Sequence, residues 1–303
     1  MPTHLALVHY PGASQAALAG MAEMFSHCAR LQRREGMAET ALTSVTPSAL
    51  PEARFDAVIL PPAFGNQDFL APDPALVGWL RGQHDGGALM ASACAGAFYL
   101  GAAGLLDGRR VTTHWGLETR LQQRFPAARV NADAILTRDG RVVTAGGLLS
   151  WIDLALELAA EYASPRLMRE LGRHFVTDTG RREQRYYRSF RPPTDHGDTA
   201  VLRAQRRIEE GYGQHLTVRG LAADAGLSER SLLRRFKAAT GLTPLAYLQH
   251  TRIQAAQQRL ESGPDPVEAI AFDVGYEDAT AFRKVFRRLT GLTPSDYRRR
   301  LRR

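Results

Sequence analysis

The sequence predicts an α/β amino-terminal domain with a mostly parallel sheet, followed by an all-α domain built from two helix-turn-helix units. Three observations carry that prediction. Short apolar runs alternate with helix-spaced segments through the first half of the chain. A pattern in the last third repeats itself at a spacing near 50 residues. All of the excess positive charge sits in that same last third.

The elements follow in order. Residues 5–10 are a short apolar run stopped by Pro11 and Gly12, a strand and its turn. Residues 16–31 place Leu18, Met21, Met24, Phe25, Cys28 and Leu31 at helical spacing. Residues 57–60 read as a second buried strand, closed by Pro61 and Pro62. A helix opens over 76–80, a third strand runs over 88–93, and a helix over 97–103 follows almost at once. Residues 111–113, 134–137 and 142–144 read as further strands, and 151–162 as a helix. Strands alternating with helices imply a sheet covered on both faces. Ligands of such sheets sit beyond the carboxyl ends of the strands.

The chain has 303 residues, room for two ordinary domains. Residues 199–303 carry 19 Lys/Arg against 11 Asp/Glu, a net of +8, whereas residues 1–198 carry 20 of each. A basic module joined to a neutral one points to a polyanion partner for the basic one. The two cysteines, Cys28 and Cys94, make no disulfide framework, and nothing stands near them at metal-ligand spacing. No metal and no cofactor are therefore expected. The start of the chain has no basic stretch leading into a long apolar run. The most apolar stretch, 146–160, is broken by Ser150, Asp153 and Glu157. No membrane association is expected, and a cytoplasmic protein is. The organisation reads as a first domain over 1–175, a solvated, Arg-rich connector over 176–198 with a boundary near Pro192, and a second domain over 199–303.

The last third is duplicated. Gly241, Leu242, Thr243 and Pro244 recur as Gly291, Leu292, Thr293 and Pro294, and Phe236-Lys237 recurs as Phe286-Arg287. Upstream, Leu221, Ala222, Ala225 and Gly226 recur as Ile270, Ala271, Val274 and Gly275. Each copy fits helix-turn-helix mechanics. A short helix ends at Gly226 or Gly275, where glycine permits a left-handed turn. Ser228 or Asp278 caps the next helix. Apolar stripes of Leu232, Leu233 and Phe236, and of Phe282, Val285, Phe286 and Leu289, face inward. The opposite faces present Arg230, Ser231, Arg234 and Arg235 in one copy, and Thr280, Arg283, Lys284 and Arg287 in the other. Guanidinium forks and hydroxyls over an apolar underside are what reading a DNA major groove requires. Double-stranded DNA is the expected partner.

The duplicated segment resembles the AraC/XylS family over about residues 199–298. In the first half, Ala93-Cys94-Ala95-Gly96-Ala97 followed by GLLDGRRVTTHW, and later TAGGLLSWIDLALELAAEY, resemble the PfpI/ThiJ class I glutamine amidotransferase-like domains over about residues 4–165. That resemblance implies a sharp strand-to-helix elbow at Cys94, with the helix N-terminus lowering the thiol pKa. It implies a ligand pocket gathering Cys94, Ala95, His114 and Gly12, with Phe64 and Gly65 in the loop that supplies backbone N–H groups. Hydrolytic members have His directly after the Cys, and here that residue is Ala95. Thiol-active members have a Glu in the first helix, and here no carboxylate appears before Glu23. The expectation is a pocket without turnover; the alternative is a cysteine-dependent hydrolase or lyase fused to a DNA-binding module. Together the two halves resemble the GlxA-type AraC regulators. That implies a bacterial transcription regulator, a small-molecule effector of unknown identity, and a homodimer.

Overall fold

The computed structural model describes residues 2–63, 68–180 and 183–301. It divides after Gln184 into two compact units.

The amino-terminal unit is laid out as β1 (Thr3–Val8), α1 (Gln15–Arg34), β2 (Thr40–Val45), β3 (Ala57–Leu60), α2 (Pro74–Asp85), β4 (Leu89–Ala93) and α3 (Ala97–Ala102). It continues with β5 (Arg110–Val111), α4 (Glu118–Arg124), β6 (Arg129–Val130), β7 (Leu136–Asp139), β8 (Val142–Ala145), α5 (Trp151–Tyr162) and α6 (Pro165–His174). The main sheet runs β2-β1-β3-β4-β8-β7. Every neighbouring pair is parallel except β7 with β8. Strands β1, β3, β4 and β8 are buried along almost their whole length, which is why they read as continuous apolar runs. Strand β2 escaped the sequence reading because it is an edge strand, TALTSV, with only its two end residues buried. The expected strand over 111–113 contracts to the short β5, paired with β6 apart from the main sheet. Beyond it Thr112 donates its N–H to the Thr144 hydroxyl at 2.7 Å.

Residues 176–198, expected as a solvated connector, are not solvated throughout. Gln184 is 2% exposed and packs within the amino-terminal unit. Phe190 packs within the carboxy-terminal unit, its ring stacked on His250 at 4.8 Å.

The carboxy-terminal unit holds α7 (Thr199–Gly211), α8 (Val218–Ala225), α9 (Glu229–Thr240), α10 (Pro244–Ser262), α11 (Val267–Asp273), α12 (Ala279–Thr290) and α13 (Pro294–Leu301). It has two cores. Val201, Ile208, Leu221, Leu232, Phe236 and Tyr247 form the first. Ile253, Leu260, Ile270, Phe282, Phe286 and Tyr297 form the second. Helix α10 gives its first turns to one core and its later turns to the other, so it bridges the copies as the sequence implies. Burial of each such aromatic or branched side chain contributes about 1.5–3 kcal/mol. The duplication extends to buried polar detail. Tyr247 donates to Glu209 at 2.6 Å, and Tyr297 donates to Glu261 at 2.6 Å.

Candidate functional site

The amino-terminal site begins where β4 ends. Cys94 has φ +53°, left-handed backbone that a side-chain-bearing residue rarely adopts. Such strain costs of order 1–3 kcal/mol and persists where the surroundings enforce it. The Thr113 hydroxyl donates to the Cys94 carbonyl at 2.8 Å, and the turn Cys94–Gly96 leads straight into α3. The backbone N–H groups of Ala95 and His114 donate to the thiol. The expectation of a lowered thiol pKa fails. Cys94 is 3% exposed, and burial outweighs those two donors, pushing the thiol up to about 12.

The His114 ring is already engaged on one side. Its Nδ1 accepts the Gly116 N–H at 3.0 Å, capping the turn Trp115–Leu117. A neutral imidazole that accepts at Nδ1 carries its proton on Nε2, so its remaining nitrogen is a donor. Burial lowers the His114 pKa and favours that neutral form. Tyr10, whose ring lies 4.4 Å from that of Tyr99, donates its hydroxyl to the Pro61 carbonyl.

An open cleft of about 840 Å³ lies beyond the carboxyl ends of β1 and β2. Gly12, Ser14 and Gln15 line it from the start of α1, and Thr46 and Ser48 from the end of β2. No carboxylate and no Lys or Arg is among its described lining residues. His9 also lines it, and its Nε2 is buried without a hydrogen-bond partner among the described residues. Of the expected pocket residues, Gly12 lines this cleft, while Cys94 and Ala95 are buried and His114 stands outside the lining. Phe64 and Gly65 lie outside the described residues.

The carboxy-terminal faces are built by caps and glycines the sequence foretells. Gly226 and Gly275 have φ +69° and +92°. Ser228 accepts the Ser231 N–H, and Asp278 accepts those of Thr280 and Ala281. On α9, Arg230 and Arg234 are exposed, and Ser231 is half-buried in the cap with its hydroxyl 3.0 Å from that of Ser228. Arg235 is half-buried and held by Asp198. On α12, Thr280, Arg283, Lys284 and Arg287 are all exposed, with Arg283 ion-paired to Glu268. Leu233, expected in the core, is 40% exposed. The repeat aligns Leu233 with Arg283, Lys237 with Arg287, and Arg235 with Val285. Carrying that register through the helix puts exposed Leu233 and Lys237 at the places of Arg283 and Arg287, and half-buried Arg235 at the place of Val285.

Comparisons with known proteins bear on the two domains. The DJ-1/PfpI family matches residues 30–161, and a helix-turn-helix domain matches residues 221–300. The chain is 29% identical over 236 residues to the HTH-type transcriptional regulator CdhR of Pseudomonas aeruginosa, covering 77% of this chain and 70% of that protein. It is 30% identical over 208 residues to the HTH-type transcriptional regulator GlxA of Rhizobium meliloti, covering 68% of this chain and 63% of that protein. A crystal structure of a candidate transcriptional regulator from Vibrio parahaemolyticus superposes with a TM-score of 0.50 at 20% identity, covering 58% of this chain and all of the other, a likeness of fold. The chain thus joins a DJ-1/PfpI-type α/β domain to an AraC-type helix-turn-helix domain. It is a DNA-binding transcription regulator, similar to CdhR and GlxA. Among the described residues no helix is long and apolar enough to cross a membrane.

Proposed function

We propose that this regulator reads specific double-stranded DNA with α9 and α12, and that its amino-terminal domain senses a small polar effector without turning it over. The observation that carries the reading is the duplicated cap, apolar underside and exposed basic face of α9 and α12. Two reading helices joined through one bridging helix enter successive major grooves, roughly 34 Å apart. The cleft beyond β1 and β2 suits a small molecule with a hydrogen-bonding group for His9 Nε2 and the first-turn N–H groups of α1. A protonated, buried Cys94 and a His114 whose Nδ1 is engaged weigh against the thiol hydrolase or lyase alternative. The reading includes a cytoplasmic homodimer, the arrangement that the resemblance implies.

Selection of bound duplexes from a genomic DNA library, followed by hydroxyl-radical footprinting, tests the DNA reading. Two protected patches per protomer, about one helical turn apart, are expected. A single short patch would reduce one copy to a structural role, and no selected sequence would refute specific reading.

A further inference from the structure

Gln184 is the last residue of the amino-terminal unit, and Arg185 is the first of the carboxy-terminal unit. Each belongs to its own unit, and the two are adjacent in sequence. We propose that Gln184 is a positioning residue that ties the state of the Cys94 elbow to the end of the second reading helix. This inference rests on the reading of the chain as an effector-responsive DNA binder, and it names how the response is transmitted.

The seat of Gln184 is the elbow's own hydrogen-bond system. Its amide Nε2 donates to the Thr113 carbonyl at 2.8 Å, to the Ala134 carbonyl at 3.1 Å and to the Thr112 hydroxyl at 3.3 Å. Its backbone N–H donates to the Asp133 carbonyl at 2.9 Å. The Thr113 carbonyl and the His114 N–H belong to one peptide unit. That N–H donates to the Cys94 thiol, so one rigid peptide plane has Cys94 at one end and Gln184 at the other. The Thr113 hydroxyl adds a second tie, to the Cys94 carbonyl. The seat is also tight: a Cβ added to Gly146 would lie 2.1 Å from Gln184 Nε2. Yet Gln184 Oε1 is buried with no partner among the described residues. An unmet buried acceptor is unfavourable, so the amide is held by its N–H side alone. A change at Thr113 or His114 therefore acts on a side chain that is enclosed but only half-satisfied.

On the other side of one peptide bond, the turn Arg185–Tyr187 packs against α12. The Arg185 side chain lies across Gly291, where a Cβ would meet its Nε at 2.6 Å and its Cδ at 2.9 Å. Gly291 is the residue that ends α12, with φ +81° and its N–H donated to the Arg287 carbonyl at 2.8 Å. Arg287 is an exposed cation of the reading face. Consecutive Cα atoms stand about 3.8 Å apart, so Gln184 and Arg185 are direct neighbours along the chain. The effect on α12 is a shift in population between seated and unseated states.

Hydrogen exchange on the full-length protein, read on residues 286–293, tests this directly and without an effector. Gln184→Met keeps the length of the side chain and removes its donor. It is expected to speed exchange in that segment by about threefold or more, while circular dichroism stays as in wild type. Thr113→Val, made in the elbow, removes the hydroxyl that holds the Cys94 carbonyl; it is expected to have a similar effect alone and none when added to Gln184→Met, because the two bonds lie in series on one path from Cys94 to Gln184. Unchanged exchange over 286–293 in Gln184→Met, or two effects that simply add, overturns the proposal. If Gln184→Met fails to fold, Arg185→Ala serves in its place: in that background Thr113→Val must leave 286–293 unmoved, and a persisting effect overturns the proposal. Binding of the same proteins to a random-sequence duplex pool is measured alongside. Absence of DNA binding by wild type refutes the functional reading, whereas the exchange data on free protein decide the role of Gln184 on their own.

Discussion

Asp198 grips Arg235 with both carboxylate oxygens, at 2.8 Å to Nε and 2.7 Å to a terminal guanidinium nitrogen. The same carboxylate caps α7 by accepting the Ala200 and Val201 N–H groups, each at 3.1 Å. One side chain thus fixes the start of the first helix of the unit to α9, and it engages the Arg235 guanidinium.

Asp198→Ala is expected to lower stability by about 0.5–2 kcal/mol through the lost cap alone. The Arg235 guanidinium and the two N–H groups hold the Asp198 pKa below its usual value. Its stabilisation is present above the unfolded pKa near 4 and is lost as pH falls through the lower folded value. Thermal melts should therefore separate wild type from Asp198→Ala at pH 7, with a separation that shrinks as pH falls below about 4. Arg235→Ala should leave DNA affinity close to wild type. A large loss of affinity in Arg235→Ala without a fall in melting temperature would return it to the reading face.

Arg287 is exposed on α12, one turn before the Gly291 cap. Arg287→Ala is expected to weaken binding to a selected operator by about 1–3 kcal/mol and to relax sequence preference. Titrations on operator and random duplex at several salt concentrations measure this. An equal loss on both, with the salt slope smaller by about one unit, would make Arg287 a phosphate contact. No loss on either would remove α12 from the groove.

Leu233 occupies in α9 the place that Arg283 holds in α12, and it is 40% exposed. Leu233→Ala is expected to cost less than the 2–5 kcal/mol typical of a buried leucine, roughly 1 kcal/mol or below. An apolar side chain on a reading face suits the thymine methyl group. Replacing thymine by uracil in the half-site that α9 reads should weaken wild type and leave Leu233→Ala unaffected. Equal sensitivity of both proteins to uracil would assign Leu233 to packing alone.

The fold was legible wherever burial writes a period. The apolar runs of β1, β3, β4 and β8 and the duplicated Gly-Leu-Thr-Pro segments located most elements and both caps. The edge strand β2 was not, because a strand with four of six residues outside the core carries no apolar run. The site was less legible. Cys94 sits at the expected elbow, but its pKa depends on how deeply the turn is buried, which the small residues around it do not encode. The pairing of Arg235 with Asp198 joins residues 37 apart in sequence and leaves no local pattern. Gln184 looked like part of a polar connector, since only the tertiary structure brings Thr113 and Ala134 to it.

Burial pushes Cys94 to about 12 and Cys28 to about 11. With the pKa of Cys94 at about 12, only about one Cys94 in ten thousand is thiolate at pH 8, and the thiolate is the reactive form. Iodoacetamide at pH 8 should therefore label native protein far more slowly than protein unfolded in urea, where both thiols return to ordinary values. The raised folded pKa has a second consequence. The native state holds the Cys94 proton more tightly than the unfolded chain, so the stability it adds is full below the unfolded pKa near 9 and declines as pH rises toward 12. Cys94→Ser, which removes the titrating group, should flatten that alkaline decline and leave the melting temperature at pH 7 much less changed. Rapid, stoichiometric labelling of Cys94 in the native protein at pH 8 would mean that its thiolate is accessible. It would restore nucleophilic chemistry at the elbow as the reading to pursue.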